Sequence, residues 1–144
     1  MTDPPADPSV RRDVEAANGA FYAAIESADL DAMLALWLDV PGSVCVHPGM
    51  SPVHGAGAIG RSWALVMAHT PYIQFFLTDV VVELREGVAL VTCTENVLTG
   101  GAGTGPDAFG GGKAVATNVF VPTPDGWRLW IHHASPVLSV ADDQ

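Results

Sequence analysis

Positive charge is what this sequence has least of: six Lys and Arg face sixteen Asp and Glu, for a formal net charge of -10 over 144 residues. Binding a phosphate backbone or an anionic lipid surface takes a dense basic face. Six scattered cations do not supply one, so neither nucleic acid nor membrane is expected as a partner. Cysteine is scarce too. Cys45 and Cys93 are the only two, each inside an apolar, strand-like run, which excludes a disulfide framework and predicts buried free thiols in a reducing compartment. Nor does any apolar run approach the roughly 18 to 20 residues of a membrane span. The opening "MTDPPADPS" has no apolar core of a secretory signal. The expected location is cytoplasmic.

What is present is a globular composition, 49% hydrophobic and 15% charged, in a length that suits one domain. The chain divides into a tail over 1–8, a single domain over 9–138 and a second tail over 139–144. Ser9 is placed to cap a helix whose apolar residues Val10, Val14, Ala17, Phe21, Ala24, Ile25 and Ala28 recur at helical spacing. Asp29 then caps a short helix, "LDAMLALWL", that "DVPG" ends. "SVCVHP" reads as a short strand, and a loop leads to a third helix, "AIGRSWALVMAHT", with Ile59, Trp63, Val66 and Met67 facing inward. From Tyr72 the period changes to two, giving four strands rich in β-branched and aromatic residues. Helices followed by consecutive hairpins predict an α+β fold in which three helices pack on a curved antiparallel sheet.

The last hairpin contains adjacent histidines, "RLWIHHAS". A two-residue turn at Asp125 and Gly126 sets Phe120 opposite Ile131 and Asn118 opposite His133. Opposed residues share a face, whereas neighbours along a strand do not. One histidine therefore faces in and the other out, with His133 inward beside Asn118. His132 falls on the outer face with Arg128 and Trp130, an amphipathic patch that predicts a subunit interface and a homodimer.

Three stretches, "FYAAIESADLDAMLALW", "VCVHPGMSPVHGAGAIGRSW" and "TNVFVPTPDGWRLWIHHAS", taken in their order and separation, resemble the nuclear transport factor 2-like superfamily, in its SnoaL-like and ketosteroid-isomerase-like branch. The resemblance runs from about Ser9 to Leu138. It implies a cone, in which the sheet wraps the long helix and the open end is a mostly apolar pocket for a small molecule. In ketosteroid isomerases the general base is an aspartate on the short strand, and His47 holds that place here. Their protonated oxyanion-hole aspartate is matched by Asn118. Their first-helix tyrosine is matched by Phe21, with Tyr22 one position away. All three functional groups have changed, so steroid isomerisation by that scheme is not implied.

The same match turns Cys93, Glu95 and Val97 toward the pocket and agrees with the hairpin count for Asn118 and His133. The expected catalytic set is thus His47, Glu95, Asn118 and His133, with Phe21, Trp37, Trp63, Cys93, Phe120 and Ser135 lining the pocket. A carboxylate, two imidazoles and an amide among aromatics are the parts of an acid–base site. Proton shuffling beside a carbonyl suits them: isomerisation, dehydration or aldol-type cyclisation on a small, partly apolar compound. No cofactor is expected. The Gly-rich "GGAGTGPDAFGGGK" is not a phosphate loop, because Ala114 follows Lys113 and a strand follows in place of a helix. No histidine pair has metal-ligand spacing. A non-catalytic ligand-binding or dimerisation module is the alternative from a different class.

Overall fold

A computed structural model describes residues 7–100 and 109–138. The first six residues, the tail over 139–144 and most of the Gly-rich loop lie outside the described residues. Three helices, α1 (Pro8–Glu26), α2 (Leu30–Leu36) and α3 (Ala56–His69), pack on a sheet of six strands. These are β1 (Val44–Val46), β2 (Val53–His54), β3 (Tyr72–Arg85), β4 (Val88–Gly100), β5 (Phe109–Thr123) and β6 (Gly126–Pro136), in the spatial order β2-β1-β6-β5-β4-β3. The fold is α+β. Four of the five strand pairings are antiparallel, and β1 runs parallel to its neighbour β6, so the sheet is mixed and not purely antiparallel as expected. That ladder brings His47, just past the end of β1, beside the histidine end of β6.

Helix α1 begins at Asp7 and not at Ser9: the Asp7 carboxylate accepts from the Ser9 amide at 2.9 Å, and Pro8 fills the first turn, where no amide is needed. Val14, Asn18, Phe21, Tyr22 and Ile25 form its buried face at helical spacing. Glu26 ties its end to the sheet by accepting from the Phe75 amide at 2.8 Å. Asp29 caps α2 as expected, through the Ala32 amide at 3.0 Å. The core joins Val14, Phe21 and Ile25 of α1, Met33, Ile59 and the inner rungs of the sheet.

The final hairpin corrects the sequence-based register. Thr123 pairs with Gly126, so Pro124 and Asp125 form the corner and Gly126, at φ 113°, closes it. Its pairs then run Pro122 with Trp127 and Phe120 with Leu129. Between Phe120 and Val119 the register shifts, because Trp130 is an extra residue bulging from β6. Beyond it Asn118 lies opposite His132, and Thr117 opposite His133. The displaced turn moves the pairing by two residues and preserves parity. The bulge moves it by one and reverses parity for β6 alone. Asn118 therefore stays inward, while His132 is the buried histidine and His133 the exposed one.

Candidate functional site

Along β4 the inward rungs are Ala89, Val91, Cys93 and Glu95, and along β5 they are Phe120, Asn118, Ala116 and Ala114. The inward residues of β5 change from large to small toward the end where Ala114 lies opposite Glu95. Ala114 and Ala116, with Ala134 on β6, leave the space over Glu95 unfilled, and a cavity of about 430 Å³ opens there. This volume falls within the range of small-molecule sites, roughly 300–1,000 Å³. Ile25, Trp63, Ile73, Phe75 and Val97 form apolar walls, and Met50 stands at the rim. Among the described residues three buried polar side chains line it: His47, Glu95 and His132.

A directed chain of hydrogen bonds fixes His132. The Tyr22 hydroxyl donates to Glu95 Oε2 at 2.6 Å, so its oxygen can only accept from elsewhere. Asn118 Nδ2 donates to that oxygen at 3.2 Å and to Asn18 Oδ1 at 2.9 Å. The other edge of the Asn118 amide is then its carbonyl, which lies 2.6 Å from His132 Nδ1. Nδ1 must carry the proton, and Nε2 presents a bare lone pair to the cavity. Burial above all, with His47 and His133 adding to it, drives the His132 pKa down to about 3.

His47 is held in the complementary tautomer. Ser62 Oγ donates to the Ile59 carbonyl at 2.7 Å, which leaves it to accept from His47 Nε2 at 2.9 Å. The free nitrogen of His47 is Nδ1, and burial lowers this pKa as well. Both imidazoles pack on Trp63, with ring centroids 4.6 Å away for His47 and 6.1 Å for His132. Phe21 closes on His132 from α1 at 4.7 Å. Glu95 is pushed the other way: burial raises its pKa, and the bond from Tyr22 partly restrains the rise. With Oε2 occupied by Tyr22, a proton taken up by this carboxyl belongs on Oε1.

Of the residues expected at the pocket, His47, Glu95 and Trp63 line it, and Asn118 holds His132 from behind. Phe21, Cys93 and Phe120 are buried in the packed interior beneath it; Cys93 lies 3.6 Å from the Tyr22 hydroxyl. Trp37 is in the core where its segment bridges Leu129. His133 and Ser135 are exposed on the outer face, because the Trp130 bulge reverses the parity of both. For the same reason His132 leaves the proposed outer patch, while Trp130 remains exposed and Arg128 half-buried. Asn18, Tyr22 and Ser62 were not anticipated. The spacing of Asn18 and Tyr22, four apart on an otherwise apolar helix face, was the available signal for the first two. Among the described residues no three His, Cys, Asp or Glu side chains converge as metal ligands would. Cys45 and Cys93 are free and buried.

Three helices packed on a six-stranded mixed sheet, with a cluster of buried polar groups at a cavity, define a fold of the nuclear transport factor 2-like kind. The SnoaL-like domain matches residues 14–139, and the chain belongs to that family. A candidate dehydratase of the NTF2-like family from Streptomyces avermitilis is 47% identical, with a TM-score of 0.85 over 93% of this chain and 100% of that one. A candidate calcium/calmodulin-dependent protein kinase type II association domain from Thiobacillus denitrificans is 32% identical, with a TM-score of 0.74 over 86% of this chain and 94% of that one. F-box protein SKIP8 of Arabidopsis thaliana is 26% identical over 133 residues, 92% of this chain, which spans about half (53%) of that protein's length. Among the described residues no helix is long and apolar enough to cross a membrane.

Proposed function

We propose that this chain is a cofactor-free acid–base enzyme that eliminates water from, or isomerises, a small and mostly apolar carbonyl compound. One observation carries the reading: a bare imidazole nitrogen of His47 and a carboxyl group of Glu95 with a raised pKa face the same apolar cavity. Glu95 Oε1–H donates to the substrate carbonyl and stabilises the enolate that forms. His47 Nδ1 removes the proton next to that carbonyl. In a dehydration, the imidazolium then returns this proton to the departing β-hydroxyl, so a hydrogen and a hydroxyl leave together as water and His47 ends as it began. In an isomerisation the same proton goes back to a different carbon. His132, with a pKa near 3, is too weak a base for the proton transfer and serves as a hydrogen-bond acceptor. The 47%-identical candidate dehydratase supports this class of reaction.

The test is exchange of α-protons for deuterium, followed by NMR, across a panel of small ketones and β-hydroxyketones. Wild-type protein is expected to accelerate exchange or elimination for part of the panel. His47→Ala and Glu95→Gln should each reduce it by about two to four orders of magnitude. A second reading, a non-catalytic module, is favoured by the 32%-identical association domain; binding without exchange across the panel would establish it and refute the enzyme. Under either reading we propose a homodimer through the outer sheet face, where Phe76, Leu98, Val115 and Trp130 stand exposed.

A further inference from the structure

The polar groups of the cavity are unevenly divided between donors and acceptors. His47 offers Nδ1 and His132 offers Nε2, both as lone pairs, because each ring spends its only proton inside the wall: His47 on Ser62, and His132 on Asn118. Glu95 has committed Oε2 to the Tyr22 hydroxyl. The indole N–H of Trp63 is buried within the wall and does not reach the open space. Lys113 borders the cavity but is exposed, its rung being the outward one that it shares with Asn96. Among the described residues no buried cation therefore meets a ligand, and the side-chain protons at hand are those of the Glu95 carboxyl and of the half-buried Thr99 hydroxyl.

We infer that the cavity selects an uncharged hydroxy-carbonyl compound, whose hydroxyl donates to His132 Nε2 and whose carbonyl accepts from Glu95, and that it rejects carboxylates and phosphates. The inference rests on the acid–base reading of the site and names its substrate class. An ether oxygen in place of the hydroxyl sets two acceptors against each other. A carboxylate does the same and adds its own desolvation, with no buried positive charge among the described residues to offset it. Neither imidazole supplies that charge near neutrality, since burial holds both in the neutral form. His132 is in this sense a specificity residue, and its partner Asn118 is a positioning residue that decides which nitrogen faces the ligand.

The experiment measures binding alone, at pH 7, with compounds that cannot eliminate water: 5-hydroxy-1-indanone, 5-methoxy-1-indanone, 1-indanone-5-carboxylate and 5-aminomethyl-1-indanone. Hydroxyindanone is expected to bind about tenfold more tightly than its methyl ether, the worth of one hydrogen bond. It should bind at least about a hundredfold more tightly than the carboxylate, which leaves buried acceptors facing a charge. In His132→Leu the hydroxyl-over-methoxy preference should collapse to about twofold or less, while both ketones still bind. Should that variant fail to fold, ¹⁵N NMR of the wild-type protein replaces it: the His132 Nε2 resonance should move with hydroxyindanone and stay still with the ether. A carboxylate or ammonium analogue that binds as tightly as the alcohol, or an unchanged preference in His132→Leu, overturns the inference. Because no compound in the set turns over, failure of the enzymatic reading alone leaves this result intact.

Discussion

Removing His132 should change the acid sensitivity of the fold in a calculable way. In the native protein this imidazole stays neutral down to about pH 3, whereas in the unfolded chain it takes a proton near 6.5. Between those values the unfolded state binds more protons, so stability falls as pH falls. One pKa unit corresponds to about 1.4 kcal/mol, so lowering the pH from 6.5 to 4 should withdraw about 3 kcal/mol through this residue alone. That is a large part of the roughly 5–15 kcal/mol of a typical domain. Glu95 acts in the opposite sense, since its pKa is raised: its contribution is present below its ordinary 4.5 and is lost as pH rises through the higher native value. The difference between wild type and His132→Gln isolates the imidazole from that background. Urea unfolding followed by the fluorescence of the four tryptophans, in half-unit steps from pH 4 to 7.5, measures it. The variant should lose much less stability on acidification than the wild type. Parallel profiles would show that His132 titrates normally in the native state. The fixed tautomer, and the accepting role assigned to it, would then fall together.

Three further outcomes are expected. A methyl group on Gly111 would meet the Val97 carbonyl oxygen at 2.6 Å, while one on Gly112 has nothing within 4 Å, so Gly111→Ala should lower the melting temperature by several degrees and Gly112→Ala should leave it within about two; equal shifts would mean that the strands do not approach so closely. Burial pushes the Cys45 thiol up to about 12 and raises that of Cys93, so both should react with a thiol reagent far more slowly in native protein than in urea; rapid native labelling of both would contradict their placement. Sedimentation at micromolar concentration should show a dimer that Phe76→Asp weakens, since that ring is exposed on the outer sheet face; a wild-type monomer would refute the proposed assembly.

Much of this structure was legible in the residues. The helical spacing from Val14 to Ile25 and the two-residue alternation from Tyr72 onward set the elements. The resemblance carried by "VCVHP" and its neighbours led to His47 and Glu95. The identity of the inward histidine was not legible, because it depends on a bulge at Trp130 that leaves no mark in composition or hydrophobic alternation. Tyr22 entered only as the neighbour of Phe21, to which the resemblance gave the place of the first-helix tyrosine. Here its hydroxyl is the middle link between Asn118 and Glu95, 2.6 Å from the carboxylate, and only the fold brings together groups that are 73 and 96 residues apart. Ser62 escaped notice for a related reason: its role is to fix a tautomer across 15 residues of sequence.

The bulge makes the site tolerant of an error in length. Trp130 is the residue of the final strand without a partner on β5, so a deletion that removed it would close the bulge and leave His132 opposite Asn118. The neighbouring strand has no spare residue beside Asn118, and a deletion there would make every side chain beyond it exchange faces. Loss of Trp130 would therefore be a far milder genetic event for this protein than loss of a residue beside Asn118, where the flanking Thr117 and Val119 offer no amide.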